Sequence, residues 1–262
     1  MPFINAIASD KTLKTDIKAL IPDPMARRRM SRIVKRGVSV GMECLLTAGA
    51  DTIDAIITAT GFGCLDDSEK FLRNIIDTDE QLLNPTPFIQ STFNTVGGQI
   101  GLLCKNHCYN MTYTHRGRSF ESALLDAVLL LDAGEAHNVL LGAFDETTPT
   151  QHKIMERMGL WRRVQAGEGA YFFVVSDQRG ANCVATIDRP EFLQTPATEE
   201  NLRQQYANAL IYNDYADCGV FHTAAAAVLF EAINRLSPDT PELTLYNTYF
   251  GTMPTMLHIR AC

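Results

Sequence analysis

Residues 117–143 read GRSFESALLDAVLLLDAGEAHNVLLGA. Phe120–Asp132 is apolar on nearly every side, so a helix over it is a buried one. Gly134 stands where a glycine ends such a helix. Shortly after it, Asn138–Ala143 (NVLLGA) is an almost unbroken apolar run, the mark of a buried strand. A buried helix passing through a glycine turn into a buried strand is a unit of layered α/β architecture. Parallel strands are predicted for it.

The same alternation extends in both directions. Asp54–Thr60 (DAIITAT) is a short apolar run closed by Gly61-Phe-Gly63, and Tyr171–Ser176 (YFFVVS) repeats the pattern. Leu243–Phe250 and Met256–Arg260 are candidate closing strands. Met30–Leu46 has Ile33, Val34, Val38, Met42 and Leu45 at helical spacing, and Thr223–Leu236 opens on the small run Ala224–Ala227. Pro-containing breaks at Ile21–Pro24 and Asn84–Pro87 read as turns, and no linker or low-complexity tract divides the chain. One domain is expected over 1–262, built from two related halves of about 1–166 and 167–262.

Composition narrows the function. The 262 residues carry 23 Lys+Arg against 30 Asp+Glu, a net charge of −7, which argues against general nucleic-acid binding. With 46% hydrophobic and 20% charged residues the chain has a globular composition, and folding buries roughly three quarters of its unfolded surface. The longest apolar runs, such as Ala170–Val175, are far shorter than the roughly 18 residues of a membrane span. Met1–Ala8 has no basic segment and is too short for a signal peptide. Seven scattered cysteines (44, 64, 104, 108, 183, 218 and 262) read as reduced core thiols of a cytoplasmic protein.

The segment Asn84–Gly98, NPTPFIQSTFNTVGG, suggests a helix begun by Ser91, Thr92 and Asn94 as caps, with Gly97-Gly98 allowing close helix packing. A strand-like stretch over Leu102–Thr114 follows, then the buried helix, the Gly134 turn, and Gly167-Glu168-Gly169-Ala170 leading into the strand at 171–176. This order resembles the β-ketoacyl synthase branch of the thiolase-fold superfamily. The resemblance runs from about Met30 to Arg260. Its best matches are Ser91–Gly98, Gly134–Gly142, Glu168–Ala170, Phe221–Ala227 and Asn247–Gly251.

The resemblance implies a thiolase-like layered α/β/α/β/α fold and a set of site positions. The family's nucleophilic cysteine stands at the N-terminus of the buried helix, where the helix dipole favours a thiolate. It takes the acyl chain, and two histidines assist the malonyl decarboxylation and stabilise the oxyanion. Spacing back from Gly134 puts the cysteine position at Gly117, which has no side chain to acylate; a register two residues later brings in Ser119. The first histidine falls near Asn213 or Asp214, the family's lysine at Asp217, and the second histidine at His222, which is retained. The chain also looks short for a complete ketosynthase. A shortened relative without the cysteine resembles the chain-length-factor subunits that pair with an active ketosynthase in polyketide and aryl-polyene systems. That implies a β-ketoacyl synthase partner, or a second copy, met across the strand near 102–114, and Phe250 at the mouth of an acyl tunnel.

Several residues keep two readings. Arg27, Arg28, Arg29, Arg32, Lys35 and Arg36 form either a solvated helix face or a dock for an acidic acyl carrier protein or the partner synthase. His222 is either functional or a hydrogen-bonded core histidine. Cys104 and Cys108, placed on one strand face with His107 pointing away, read as core thiols in preference to a metal site, and no cofactor is expected. Cys218 with His222, or Ser119 with His115 as its base, would make the chain an acyltransferase or thioester hydrolase. The duller roles are a loop residue and a helix cap.

Overall fold

The computed structural model describes residues 1–50, 52–162, 164–207, 209–212 and 218–262. In chain order the first half runs β1 (Phe3–Ser9), α1 (Ile17–Leu20), α2 (Pro24–Arg29), α3 (Arg32–Ala48), β2 (Ala55–Ala59), α4 (Leu65–Asp77), α5 (Pro85–Gln90), α6 (Thr95–Cys104), β3 (Tyr109–Tyr113), α7 (Ser119–Asp132), β4 (Asn138–Asp145), α8 (Pro149–Arg157) and β5 (Gly169–Ser176). Then come β6 (Ala185–Ile187), β7 (Glu191–Phe192), α9 (Glu199–Gln205), β8 (Ala209–Tyr212), α10 (Ala224–Arg235), β9 (Glu242–Tyr249) and β10 (Thr252–Ala261).

The strands join in the order β3-β2-β4-β5-β1-β6-β10-β9-β8, with β7 paired to β10. Pairing is mixed. β2 runs parallel to β3 and β4, and β8 to β9, while β1, β5, β6, β7 and β10 join antiparallel. The expected parallel strands are present in part of the sheet, and antiparallel ones join them. An apolar run reports burial on both faces, and an antiparallel strand covered by helices has the same composition as a parallel one.

Alternate residues of β2, β4 and β5 feed two cores. Ile57, Leu141 and Phe173 pack with Phe120 and Leu124 of α7 and with Ala226 and Leu229 of α10. Their neighbours Ile56, Leu140 and Phe172 pack against Ile33, Val34 and Val38 of α3 on the opposite face. The inner helices α7 and α10 also reach Leu243, Leu245, Leu257 and Ile259 of β9 and β10, whose outer side meets Leu202 of α9 through Tyr246 and Met256. Helices thus lie outside each half-sheet and between the two, in five layers.

Three local expectations change. Residues 102–104 close α6, and the strand is only Tyr109–Tyr113, so Cys104 is helical and does not share a strand face with Cys108. Its sulfur instead lies 3.7 Å from Met42 Sδ. The segment 84–98 forms two helices: the Asn84 side chain caps α5, Asn94 precedes α6 without a side-chain cap bond, and Ser91 Oγ donates to Phe88 O. A β-carbon on Gly97 would stand 2.8 Å from Asn110 Oδ1, so this glycine lets α6 approach β3, whereas one on Gly98 would meet open space. Finally, Cys183 and Cys262 are joined as a disulfide with Cα atoms 6.0 Å apart, so these two are not reduced thiols. Of the others, only Cys44 and Cys64 are buried.

Candidate functional site

The parallel strands β2, β3 and β4 all end on one side, and α7 and α10 both begin there, which is where open α/β sheets gather functional groups. Asp145, the buried last residue of β4, organises this end. Its Oδ1 accepts from the Thr60 hydroxyl at 2.9 Å and the Gly61 N–H at 2.8 Å, and its Oδ2 from the Thr223 N–H at 3.0 Å and hydroxyl at 2.8 Å. One carboxylate thereby ties the turn after β2 to the start of α10.

His222, just before Thr223, is held in that clasp. Its imidazole lies on the backbone of Gly61, where a β-carbon would stand 2.2 Å from His222 Cγ. Phe62 meets the ring edge-on with centroids 4.4 Å apart, and Tyr249 covers it at 4.6 Å. The Tyr249 hydroxyl is 3.1 Å from His222 Nε2. Burial pushes the imidazole below its ordinary value; Asp145 opposes that and Arg116 reinforces it. The Tyr249 hydroxyl and His222 Nε2 share this hydrogen bond in the sense set by the imidazole tautomer, and burial with the nearby Asp145 charge raises the Tyr249 phenol.

Gly117 lies in a single tight turn, Arg116–Arg118, that leads into α7. A β-carbon on Gly117 would stand 2.2 Å from Tyr249 Cβ and 2.6 Å from its Cγ, so the tyrosine fills the space a side chain here would need. Phe250 follows at φ 48° in the β9–β10 turn, its ring 4.8 Å from Tyr249 and 6.0 Å from Trp161.

The structure brings Gly117, His222 and Phe250 together around Tyr249 and leaves the remaining candidates apart. Ser119 is buried, donating to Arg116 O at 2.7 Å and accepting from the His115 N–H at 2.8 Å; the His115 ring meets Ser122 Oγ instead. Cys218 Sγ is directed at Gly219 O, and Gly219 at φ 74° breaks the helical turn to His222. Asn213, Asp214 and Asp217 lie outside the described residues. Among the described residues no group of His, Cys, Asp or Glu is arranged to hold a metal ion.

The basic cluster divides in two. Arg32 donates to Glu168 at 2.7 and 2.9 Å and to Glu146 at 3.4 Å, while Arg36 pairs with Asp10 and with Glu168 at 2.8 Å. Burial would raise Glu168, yet the Arg32, Thr147 and Arg36 donors hold its carboxyl at about 2. Arg27 donates to the carbonyls of Ile21 and Pro22, leaving Arg28 and Arg29 exposed on α2.

Residues 5–226 match the family described as "Beta-ketoacyl synthase, N-terminal domain". The chain belongs to the β-ketoacyl synthase family. No curated protein matches it. Among solved structures, a type II polyketide synthase acyl-carrier protein in complex with its ketosynthase (AntDE:AntF) superimposes with a TM-score of 0.79 at 14% identity, covering 100% of this chain and 99% of that one. The ishigamide ketosynthase/chain length factor gives 0.75 at 14%, covering 99% of each. A ketosynthase, ApeO, in complex with its chain length factor, ApeC, from Xenorhabdus doucetiae gives 0.62 at 15%, covering 99% and 97%. At these identities the likeness establishes the thiolase-like ketosynthase fold. Among the described residues no helix is long and apolar enough to cross a membrane.

Sequence reasoning missed Asp145, Thr223 and Tyr249 as parts of this site. A polar residue closing the apolar run Asn138–Phe144 was the available signal for Asp145. Tyr249 carried none, since its role depends on packing against Gly117.

Proposed function

We propose that this β-ketoacyl synthase family member does not itself catalyse condensation and acts as the companion subunit of an active β-ketoacyl synthase, helping to bound its acyl tunnel. The observation that carries this reading is Tyr249 seated on Gly117. Claisen condensation needs a thiol to hold the acyl group. Here the matching position has no side chain, and an aromatic ring occupies the room for one. Solved relatives described as ketosynthase/chain length factor pairs fit the same reading.

The partner meets the edge strand β3, whose Tyr109, Asn110 and Met111 are exposed and whose outer edge has no neighbouring strand in the described sheet. An unpaired edge of this kind is a ready template for a second chain. Arg28 and Arg29 serve as the attraction for an acidic carrier protein, because Arg32 and Arg36 are already committed to internal carboxylates. The clasp at Asp145 holds His222 as part of the tunnel wall near Phe250.

Co-expression with candidate synthases, followed by size-exclusion chromatography with light scattering, tests the proposal. A 1:1 complex is expected. A chain that stays alone with every candidate, or that gains a covalent acyl adduct from acyl-carrier thioesters by intact mass, overturns it.

A further inference from the structure

The two half-sheets are joined by very little backbone. In the described sheet order only β6 stands between β1 and β10, and it is three residues long. It pairs with β1 at Thr186 and Ala185, and with β10 at Ile187, Thr186 and Ala185. Ala185 is in register with Ala261, so Cys183 and Cys262 lie just past the end of that ladder. Their Cα atoms are 6.0 Å apart, within the span a disulfide bridges.

We propose that Cys183 and Cys262 form a redox-operated staple that locks the second half-sheet to the first. Closing the bond encloses β6 to β10, a separation of 79 residues, and restricts the unfolded chain accordingly. In the folded chain it pins the last residues of β10 to the loop that enters β6. β10 is also the strand whose turn with β9 presents Tyr249 and Phe250, so the staple acts on the element that carries the site.

The pair is chemically accessible. Cys262 is exposed and Cys183 half-buried, and both border a surface cavity of about 490 Å³ shared with Ile7, Val184, Ile233 and Leu236. Cys44 and Cys64, by contrast, are buried, and burial raises their thiols well above the ordinary value, which makes them poor competitors in exchange. A low-molecular-weight disulfide such as glutathione disulfide is the oxidant. The Cys262 thiolate attacks one of its sulfurs and expels one glutathione. The Cys183 thiolate then attacks the Cys262 sulfur of the mixed disulfide and expels the second. The protein pair loses two electrons and two protons, and glutathione disulfide becomes two glutathione thiols.

The full chain is incubated with glutathione disulfide or with dithiothreitol, then unfolded, alkylated and weighed intact. Five alkyl adducts are expected after oxidation and seven after reduction, with peptide mapping locating the bridge at Cys183 and Cys262. Thermal unfolding is expected about 5–15 °C higher for the bridged form. Cys183→Ser and Cys262→Ser are expected to melt like the reduced chain under both conditions. Seven adducts after oxidation, a bridge between other cysteines, or equal melting temperatures for bridged and reduced chain would overturn the proposal. None of these readouts depends on whether a synthase partner binds.

Discussion

Gly117 and Tyr249 occupy one another's side-chain space: the α-carbon at the entry to α7 touches the tyrosine that ends β9. A β-carbon 2.2 Å from another is far inside van der Waals contact, so any residue but glycine must displace the ring. We expect Gly117→Ala and Gly117→Cys each to destabilise the chain by about 1–3 kcal/mol, the usual range for overpacking. Combined with Tyr249→Gly, which removes the Cβ nearest to the new side chain, either change should cost clearly less than it does alone, and a calorimetric double-mutant cycle measures the difference. Strict additivity would mean that the two residues do not compete for the same volume.

Asp145 receives only donors, three of them the backbone N–H groups of Gly61, Phe62 and Thr223, which cannot reverse. In Asp145→Asn the new amide N–H would face at least one of them. We expect a loss of about 2–4 kcal/mol, as for broken hydrogen bonds to a buried charge. The His222 ring signals in NMR should shift as the clasp loosens. Unchanged melting and unchanged His222 signals would refute the clasp.

Glu121 should make stability fall with rising pH. It is fully buried in the first turn of α7; Oε1 accepts from the Thr255 hydroxyl at 2.6 Å, and Oε2 meets no partner among the described residues. Burial raises its carboxyl from 4.5 to about 7, against the lowering effects of Thr255 and Arg118. A raised carboxyl favours the protonated form in the folded chain. Its contribution is therefore whole below about pH 4.5, is lost as pH climbs through about 7, and stays lost above. The gap corresponds to about 3 kcal/mol. Glu121→Gln should remove this step and be the more stable protein at pH 8. Identical pH profiles for the two proteins from pH 5 to 8 would show that Glu121 does not titrate in that range.

The edge of β3 should govern assembly without governing folding. Met111 is 42% exposed, so Met111→Glu should leave the melting temperature within about 2 °C while abolishing the 1:1 complex with a synthase partner. A variant that still assembles would move the interface elsewhere on the molecule.

Much of the layered fold is readable in residue order. Phe120–Asp132, apolar on nearly every side, becomes the inner helix α7, and Gly134 at φ 70° closes the turn after it. Phe3–Ser9, Asn138–Asp145 and Gly169–Ser176 become central strands because both of their faces are covered. The stretch 102–114 misleads because Leu102 and Leu103 are as suited to the last turn of a helix as to a strand, and Lys105 at φ 50° ends α6 where no glycine marks the stop. His222 and Gly117 were singled out by the family resemblance, and folding brings both against Tyr249.

From the linear chain alone came the burial class of most segments and the alternation of helix and strand. These depend on near neighbours, whose spacing along the chain carries helical or strand periodicity. The sense of strand pairing, the clasp between Asp145 and Thr223 across 78 positions, the tyrosine over Gly117 and the meeting of Cys183 with Cys262 arose only on folding. Each joins residues distant in sequence, and such contacts are decided by how the half-sheets and inner helices pack, for which no local pattern exists.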